Sequence, residues 1–220
     1  MPMLMLLATP APAQTDCTAD AMLVFDGSGS MAEMGFNDIS EPRIFDARRA
    51  MGRAMPEVAS SRRVGLVIYG PGSADDCSGI DLRFPPRPEA AGAIIAQIDG
   101  LQPAGETALT EAVALAAETL DFRRRPGVIV LVTDGKETCG GTPCALAAEL
   151  AAEAADLTVH VVGFKVRGDR FSWEADSDYQ QAYTVADCLA DRTGGLYVAT
   201  ESVDELIEAL RRTMGCPLLF

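Results

Sequence analysis

Residues 21–31, AMLVFDGSGSM, join an apolar run to a short run of small polar residues. The apolar part predicts a strand that is buried on both faces. The polar part places Asp26, Ser28 and Ser30 at alternate positions, and the two glycines between them permit a tight turn. One carboxylate and two hydroxyls therefore follow the carboxyl end of a strand, where open α/β sheets bind ligands. Hard oxygen donors of this kind favour Mg²⁺, Ca²⁺ or Mn²⁺.

This Asp-x-Ser-x-Ser segment resembles the start of the metal-ion-dependent adhesion site (MIDAS) of the von Willebrand factor type A (VWA) family. The resemblance implies two further pieces, a threonine on a later loop and an aspartate that ends a later strand. Residues 105–109, GETAL, are similar to the threonine loop and supply Thr107. Residues 132–135, VTDG, are similar to the aspartate turn and supply Asp134. A flexible turn would explain the pentapeptide DGSGS alone, but not three pieces in this order.

The resemblance implies a metal site built from two carboxylates and three hydroxyls, namely Asp26, Ser28, Ser30, Thr107 and Asp134. Some of these groups would bind the ion directly and others through water. The set leaves a coordination position open, and the resemblance implies that a carboxylate of a protein partner fills it. Mg²⁺ is the first choice of ion because it keeps waters readily, with Mn²⁺ and Ca²⁺ as alternatives. The sequence departs from the common family pattern at Ala108, where many members carry proline.

The composition limits the number of domains and the kinds of ligand that the chain can be expected to bind. The chain has 220 residues, of which 48% are hydrophobic and 23% charged, which is enough for one domain with a sizeable core. The net charge of −14 disfavours binding to nucleic acid or to anionic lipid, because both carry negative charge themselves. The family resemblance covers residues 20–214 and leaves no room for a second domain.

The two ends of the chain predict export. Residues 1–13, MPMLMLLATPAPA, are typical of the remnant of a secretory signal with an A-x-A cleavage pattern, although a disordered leader is the alternative. Residues 215–220 form a short C-terminal tail. No later apolar run reaches the roughly 20 residues of a membrane span, so we expect none. The chain is similar to bacterial exported single-domain members, which implies a periplasmic or extracellular location; the oligomeric state stays open.

Apolar periodicity predicts strands that alternate with helices. Strands are expected at 21–25, 64–69, 79–84, 127–133, 157–166 and 195–199, and helices at 44–59, 110–122, 144–155, 179–192 and 203–214. A further helix is expected to open at residues 85–88, PPRP, and to run through residue 98. The third strand alternates apolar and polar residues, which predicts an antiparallel edge strand. The fold class is therefore a doubly wound, mostly parallel α/β sheet with helices on both faces. The family resemblance implies six strands in the order 3-2-1-4-5-6.

Six cysteines in an exported chain predict disulfides. The predicted topology places Cys17 and Cys216 at the sheet edge opposite the metal site, so these two are expected to pair. Of the other four, the two turn residues lie at the metal-site edge and the two helix residues lie on adjacent helices. This placement favours Cys77–Cys139 and Cys144–Cys188. The alternative is a local Cys139–Cys144 bridge with two free thiols.

The resulting functional hypothesis is a binding module rather than an enzyme. A hydrolase that uses the same ion to activate water is the first alternative, but no general base is evident. The lone histidine, His160, lies within the apolar run VHVVGF and is expected to be a buried strand residue. The second alternative is a regulatory subunit of a chelatase or ATPase assembly, a role of some intracellular family members. The predicted leader and the cysteines argue against it.

Overall fold

The computed structural model describes residues 17–34, 41–165 and 187–216. Four sequence-based expectations about single segments lie partly or wholly outside these ranges: the signal remnant at 1–13, the last residue of the strand expected at 157–166, the first part of the helix expected at 179–192, and most of the tail at 215–220. None of the helices within the described ranges combines the length and the hydropathy needed to cross a bilayer.

The described residues form six strands: β1 (Asp20–Asp26), β2 (Val64–Tyr69), β3 (Ile80–Arg87), β4 (Pro126–Thr133), β5 (Asp156–Phe164) and β6 (Tyr197–Thr200). They also form a 3₁₀ turn, η1 (Gly29–Ala32), and the helices α1 (Arg43–Ser61), α2 (Ala91–Asp99), α3 (Leu109–Thr119), α4 (Pro143–Glu153), α5 (described part 187–192) and α6 (Val203–Met214). The sequence therefore predicted nearly all of these elements, with shifts of one to three residues at most boundaries.

The six strands form one sheet in the order β3-β2-β1-β4-β5-β6. All neighbours are parallel except β2 and β3, which are antiparallel. The predicted fold class and strand order are confirmed. Strand β1 lies at the centre, and the chain crosses to opposite sides of it for β2 and β4. The carboxyl ends of β1 and β4 consequently meet at the position where the strand order reverses, which is where sheets of this kind open a crevice.

Helices cover both faces of the sheet, and this explains the continuous apolar runs in the strands. Side chains of β1 alternate between two buried clusters. Leu23 and Phe25 pack with α1, α2 and α6, whereas Met22 and Val24 pack with α3 and α4. Because both faces of β1 are buried, its position and the direction of its carboxyl end are strongly determined. The loop that follows is held on a rigid support.

The prediction for residues 85–88 is wrong, because β3 continues through both prolines to Arg87 and α2 begins only at Ala91. Proline lacks an N–H group and is tolerated on an edge strand, where that side of the backbone has no neighbouring strand. The pairing with β2 is irregular at this point, with register shifts around Gly65. A Cβ on Gly65 would lie 2.8 Å from the Pro86 nitrogen, so the absence of a side chain there allows the prolines to approach.

The structure contains three disulfides, Cys17–Cys216, Cys77–Cys139 and Cys144–Cys188. These are the pairs that the predicted topology favoured, and the local Cys139–Cys144 bridge is not formed. The first disulfide joins the two ends of the described chain across a separation of 199 residues. The second joins the loop after β2 to the loop after β4, and both loops lie beside the crevice.

Candidate metal centre

The carboxyl end of β1 carries the first three candidate ligands. Asp26 is the last residue of β1, and Ser28 and Ser30 lie on the turn that leads into η1. Close backbone contacts explain the two glycines between them. A Cβ on Gly27 would lie 2.9 Å from the Tyr69 carbonyl oxygen, and one on Gly29 would lie 3.0 Å from the Ala104 carbonyl oxygen. The turn is therefore packed between two neighbouring segments, and its hydroxyls are fixed in position.

Hydrogen bonds connect these residues to Asp134, which follows β4. The Ser28 amide donates to Asp26 Oδ1 at 2.9 Å. The Oγ atoms of Ser28 and Ser30 are 3.0 Å apart, and Ser30 Oγ donates to Asp134 Oδ1 at 2.6 Å. The side chains predicted at the ends of the first and fourth strands therefore meet at one point on the sheet edge.

Thr107 lies on the loop between α2 and α3, near the same edge of the sheet. Its Oγ1 lies 4.0 Å, and Ser30 Oγ 3.9 Å, from the position that a Cβ on Gly135 would occupy. Two backbone-anchored contacts hold this threonine: its amide donates to Thr138 Oγ1 at 2.8 Å, and its carbonyl accepts from the Thr138 amide at 3.0 Å. The structure thus brings all five sequence-predicted residues to one edge of the sheet.

The loops after β2 and β4 hold the threonine loop from both sides. The Gly105 amide donates to the Gly70 carbonyl at 2.6 Å, and the Glu106 amide donates to the Asp76 carbonyl at 3.1 Å. On the other side, Glu137 accepts from the amide and hydroxyl of Thr110 at the start of α3. The Cys77–Cys139 disulfide joins the two flanking loops with a Cα separation of 5.7 Å. We conclude that the backbone of the threonine loop is held between two loops that a disulfide joins.

Two carboxylates are buried in this crevice, and their environments differ. Asp26 is fully buried and accepts at Oδ2 from the Thr133 hydroxyl at 2.7 Å. That hydroxyl in turn accepts from the Tyr69 hydroxyl at 3.1 Å. Burial raises the pKa of Tyr69 well above its usual value, and the nearby charge of Asp26 adds to the effect, so the phenol keeps its proton. The chain of hydroxyls therefore donates toward Asp26 and stabilises its charge.

Asp134 carries the more perturbed carboxyl group. Burial, together with the negative charge of Asp26, raises the pKa of Asp134 to about 7, although Arg43 and the hydrogen bond from Ser30 act in the opposite direction. Two buried carboxylates that share one site repel each other. A bound cation would relieve this repulsion, because it favours the charged forms of both.

Three residues around the site were not identified from the sequence: Tyr69, Thr133 and Arg43. Tyr69 is paired with Asp26 in the register of β1 and β2, and Thr133 directly precedes Asp134, so the strand assignment could have indicated both. Arg43, the first residue of α1, gave no signal in the spacing. Its Nη1 donates to Asp134 Oδ2 at 3.1 Å and to the Ser30 carbonyl at 3.0 Å.

His160 lies in β5, where Val161 and Val130 are its neighbours along the strand and across the sheet. It is buried, and its Nδ1 accepts from the Leu196 amide at 3.0 Å. Burial lowers the pKa of His160 to about 4, and the positive charges of Arg62 and Arg212 contribute. The histidine is therefore a neutral core residue, as its apolar sequence context indicated.

The donor set fits a hard divalent cation. Neighbouring ligands of an octahedral ion with bonds of about 2.0–2.1 Å are about 3 Å apart, which is close to the distance between the Ser28 and Ser30 oxygens. The distance from Ser30 Oγ to Asp134 Oδ1 is a few tenths of an ångström shorter, so these two oxygens need to move apart only slightly to bind the same ion. In the described part of the chain, no group of three or more His, Cys, Asp or Glu side chains is placed to hold a metal. Hydroxyl oxygens must therefore supply much of any shell here.

Solved structures share this fold. The chain matches a conserved hypothetical protein, BatB, from Bacteroides thetaiotaomicron with a TM-score of 0.61 and 18% identity over 89% of this chain and 98% of BatB. It matches the pilus adhesin SpaC from Lactobacillus rhamnosus GG with a TM-score of 0.61 and 16% identity over 90% of this chain and 30% of SpaC.

A third match is proximal thread matrix protein 1 from the mussel byssus, in a structure with a zinc-occupied MIDAS motif. The TM-score is 0.58 and the identity 19%, over 91% of this chain and 48% of the mussel protein. The chain thus spans less than half of the mussel and adhesin chains, and at these identities the likeness shows the fold alone. A comparison with curated protein sequences gives no match. A sequence model of the von Willebrand factor type A domain matches residues 21–137, more than half of the chain, and the chain therefore belongs to this family.

Proposed function

We propose that this protein binds a divalent cation, Mg²⁺ in the first instance, through the five oxygen-bearing residues at the crevice: Asp26, Ser28, Ser30, Thr107 and Asp134. The observation that supports this most directly is the contact of Ser30 with both Ser28 and Asp134, which joins residues 104 positions apart in sequence. The mussel byssus protein, which has the same fold, carries zinc at its MIDAS motif. Zinc accepts oxygen ligands as well, so the choice of ion is a matter for measurement.

The bound cation serves to attach a protein partner. Two carboxylates and three hydroxyls leave at least one position of a six-coordinate shell to water, and a carboxylate from a partner replaces that water. The flanking loops, within residues 70–79 and 136–143, lie on the exposed side of the crevice and provide further contacts. The matched structures include a pilus adhesin and a thread matrix protein, which supports a binding role.

The proposed role is binding without turnover. The one histidine of the chain is enclosed in the core, with Nδ1 occupied by a backbone amide. Besides the two carboxylates that would hold the ion, the nearby Glu106 and Glu137 already accept hydrogen bonds from the hydroxyls of Thr138 and Thr110. A hydrolytic mechanism would need a separate base near the bound water.

We further propose that the protein works outside the cytoplasm. Three disulfides cross-link the described chain, and structural disulfides persist in oxidising compartments. The matched structures from pili and from byssus threads agree with an exported protein.

Affinity capture tests the function. Immobilised protein is incubated with an envelope extract in Mg²⁺ or in EDTA, and Thr107→Val serves as a bait that lacks one ligand hydroxyl but keeps its shape. The matched control is Thr119→Val, whose hydroxyl donates to the Leu115 carbonyl on α3 instead. We expect a partner that is captured by the wild type and the control in Mg²⁺ and is lost in EDTA and with Thr107→Val. Equal capture of the same partner in EDTA would contradict the proposal.

A further inference from the structure

Arg43 is a largely buried cation that contacts two of the proposed ligand residues. Its Nη1 donates to Asp134 Oδ2 at 3.1 Å and to the Ser30 carbonyl at 3.0 Å, and only 16% of its side chain is exposed. Arg43 also forms an ion pair of 3.9 Å with Glu33, whose side chain is 72% exposed and therefore well solvated. The guanidinium is thus fixed beside the crevice and is weakly screened.

This position changes the charge of the loaded site. Asp26 and Asp134 together carry two negative charges, which a divalent cation neutralises. With Arg43 included, the loaded cluster has a net charge of about +1, whereas without it the cluster is neutral. The whole chain carries −14, which repels an acidic ligand. Since solvent and salt screen distant charges over about 8–10 Å, the local excess of positive charge decides whether a carboxylate is attracted at the site.

The same guanidinium opposes entry of the metal ion, because two cations compete for Asp134. We infer that Arg43 is a specificity-determining residue that weakens the affinity for the divalent cation and strengthens the affinity of the loaded site for a carboxylate ligand. This inference rests on the proposed function, since it assumes that a cation binds at these residues. It assigns to Arg43 two effects of opposite sign on two measurable affinities.

A purely structural role for Arg43 gives a different result. If the guanidinium only held Asp134 in position, its loss would weaken the binding of both the cation and the carboxylate. Replacement by lysine separates the two roles, because lysine keeps the charge but not the planar group. A charge effect is retained by Arg43→Lys, and a positioning effect is not.

The experiment uses four proteins: the wild type, Arg43→Gln, Arg43→Lys and the control Arg53→Gln. Arg53 lies on the same helix in an exposed pair with Asp204, so its replacement gives the same change in net charge at a distance from the site. Calorimetry at pH 8 and low ionic strength measures Mg²⁺ affinity. Water-proton relaxation of the Mn²⁺-loaded proteins measures the affinity for acetate, the carboxylate probe.

We expect Arg43→Gln to bind Mg²⁺ about tenfold more tightly and acetate several-fold more weakly than the wild type. Arg43→Lys should remain within about threefold of the wild type for both, and Arg53→Gln should match it. Equal affinities in Arg43→Gln and the wild type, or weaker binding of both ligands, would overturn the inference. Failure of the wild type to bind Mg²⁺ or Mn²⁺ would instead overturn the proposed function.

A second variant keeps the test decisive if Arg43→Gln does not fold. Glu33→Lys changes an exposed residue and places a second cation beside Arg43. At low ionic strength it should weaken Mg²⁺ binding and strengthen acetate binding, each by about two- to fivefold. A change of either affinity in the other direction would contradict the inference.

Discussion

At the level of single residues, the crevice is defined by buried polar groups that satisfy one another. The charge of Asp26 is stabilised by amide and hydroxyl donors, whereas Asp134 relies on Ser30 and on the positive charge of Arg43. Burial without full compensation is costly for a carboxylate, and this explains why the pKa of Asp134 is raised. The Asp134 carboxylate would therefore gain from a nearby cation, because a positive charge favours its ionised form.

His160 gives a prediction that is independent of the metal. Its pKa is about 4 in the folded chain and about 6.5 when unfolded, so the unfolded chain binds more protons between these values. The contribution to stability is therefore complete above about pH 6.5 and is lost as the pH falls toward 4, by on the order of 3 kcal/mol. Urea unfolding of the wild type and of His160→Asn at pH 7 and pH 5 measures it.

Asparagine is the chosen replacement because its Oδ1 can accept from the Leu196 amide in place of Nδ1. The wild type should lose more stability than His160→Asn between the two pH values. The difference between the two losses removes the effect of the other acidic groups. Equal losses in both proteins would show that His160 does not titrate as described.

At the level of secondary-structure elements, the sheet order and the site edge could be predicted, but the end of β3 could not. Buried runs such as VGLVIY and GVIVLVT identify the inner strands of the sheet. The ligand motifs directly follow two such runs, AMLVF and GVIVLVT. The prolines after Phe84 indicated a break, since proline removes a hydrogen-bond donor. The strand tolerates these prolines because β3 lies at the sheet edge and because Gly65 of β2 has no side chain. Both conditions depend on which strands pair, which the local sequence does not show.

The role of Arg43 could not be predicted from the sequence either, because it also depends on tertiary packing. The residue lies thirteen positions after Ser30 and contacts its carbonyl only because α1 returns toward the end of β1. Short motifs identify side chains that the backbone brings together locally. Contacts that depend on how a helix packs against the sheet are not encoded in such spacing.

Gly65 and Gly52 give a matched pair of substitutions. A Cβ on Gly65 would meet the Pro85 and Pro86 backbone at 2.9 and 2.8 Å, so Gly65→Ala should destabilise the fold by about 1–3 kcal/mol or more. Gly52 lies within α1 with nothing within 4 Å of its Cβ position, so Gly52→Ala should stabilise the fold by about 0.5–1 kcal/mol. Denaturant unfolding measures both. A neutral effect of Gly65→Ala would refute the steric explanation of the edge strand.

At the level of the whole molecule, the three disulfides stabilise three different parts of the fold. Cys17–Cys216 lies at one end of the fold, and Cys77–Cys139 lies beside the candidate metal centre. Cys144–Cys188 joins α4 to α5 on one face of the sheet. Each closes a loop that the unfolded chain would otherwise leave open, and the longest loop removes the most entropy.

Removal of single disulfides tests this ordering. In the chain-entropy model, the loop closed by Cys17–Cys216 is worth about 5 kcal/mol and that closed by Cys144–Cys188 about 4 kcal/mol. Replacement of both cysteines of a pair by alanine should lower the free energy of unfolding in that order, as measured with urea. Peptide mapping without reductant should recover the three pairs. A peptide linking Cys139 to Cys144 would contradict the topology.

The cation site itself is tested most directly by a calorimetric titration of Mg²⁺ into the wild type, Asp134→Asn and Asp204→Asn. Asp204 is an exposed partner of Arg53 on α6, so its replacement controls for the loss of one negative charge. We predict binding of one ion per chain in the wild type and in Asp204→Asn, and none in Asp134→Asn, with all three proteins folded. An unchanged isotherm in folded Asp134→Asn would contradict the assignment of the metal centre.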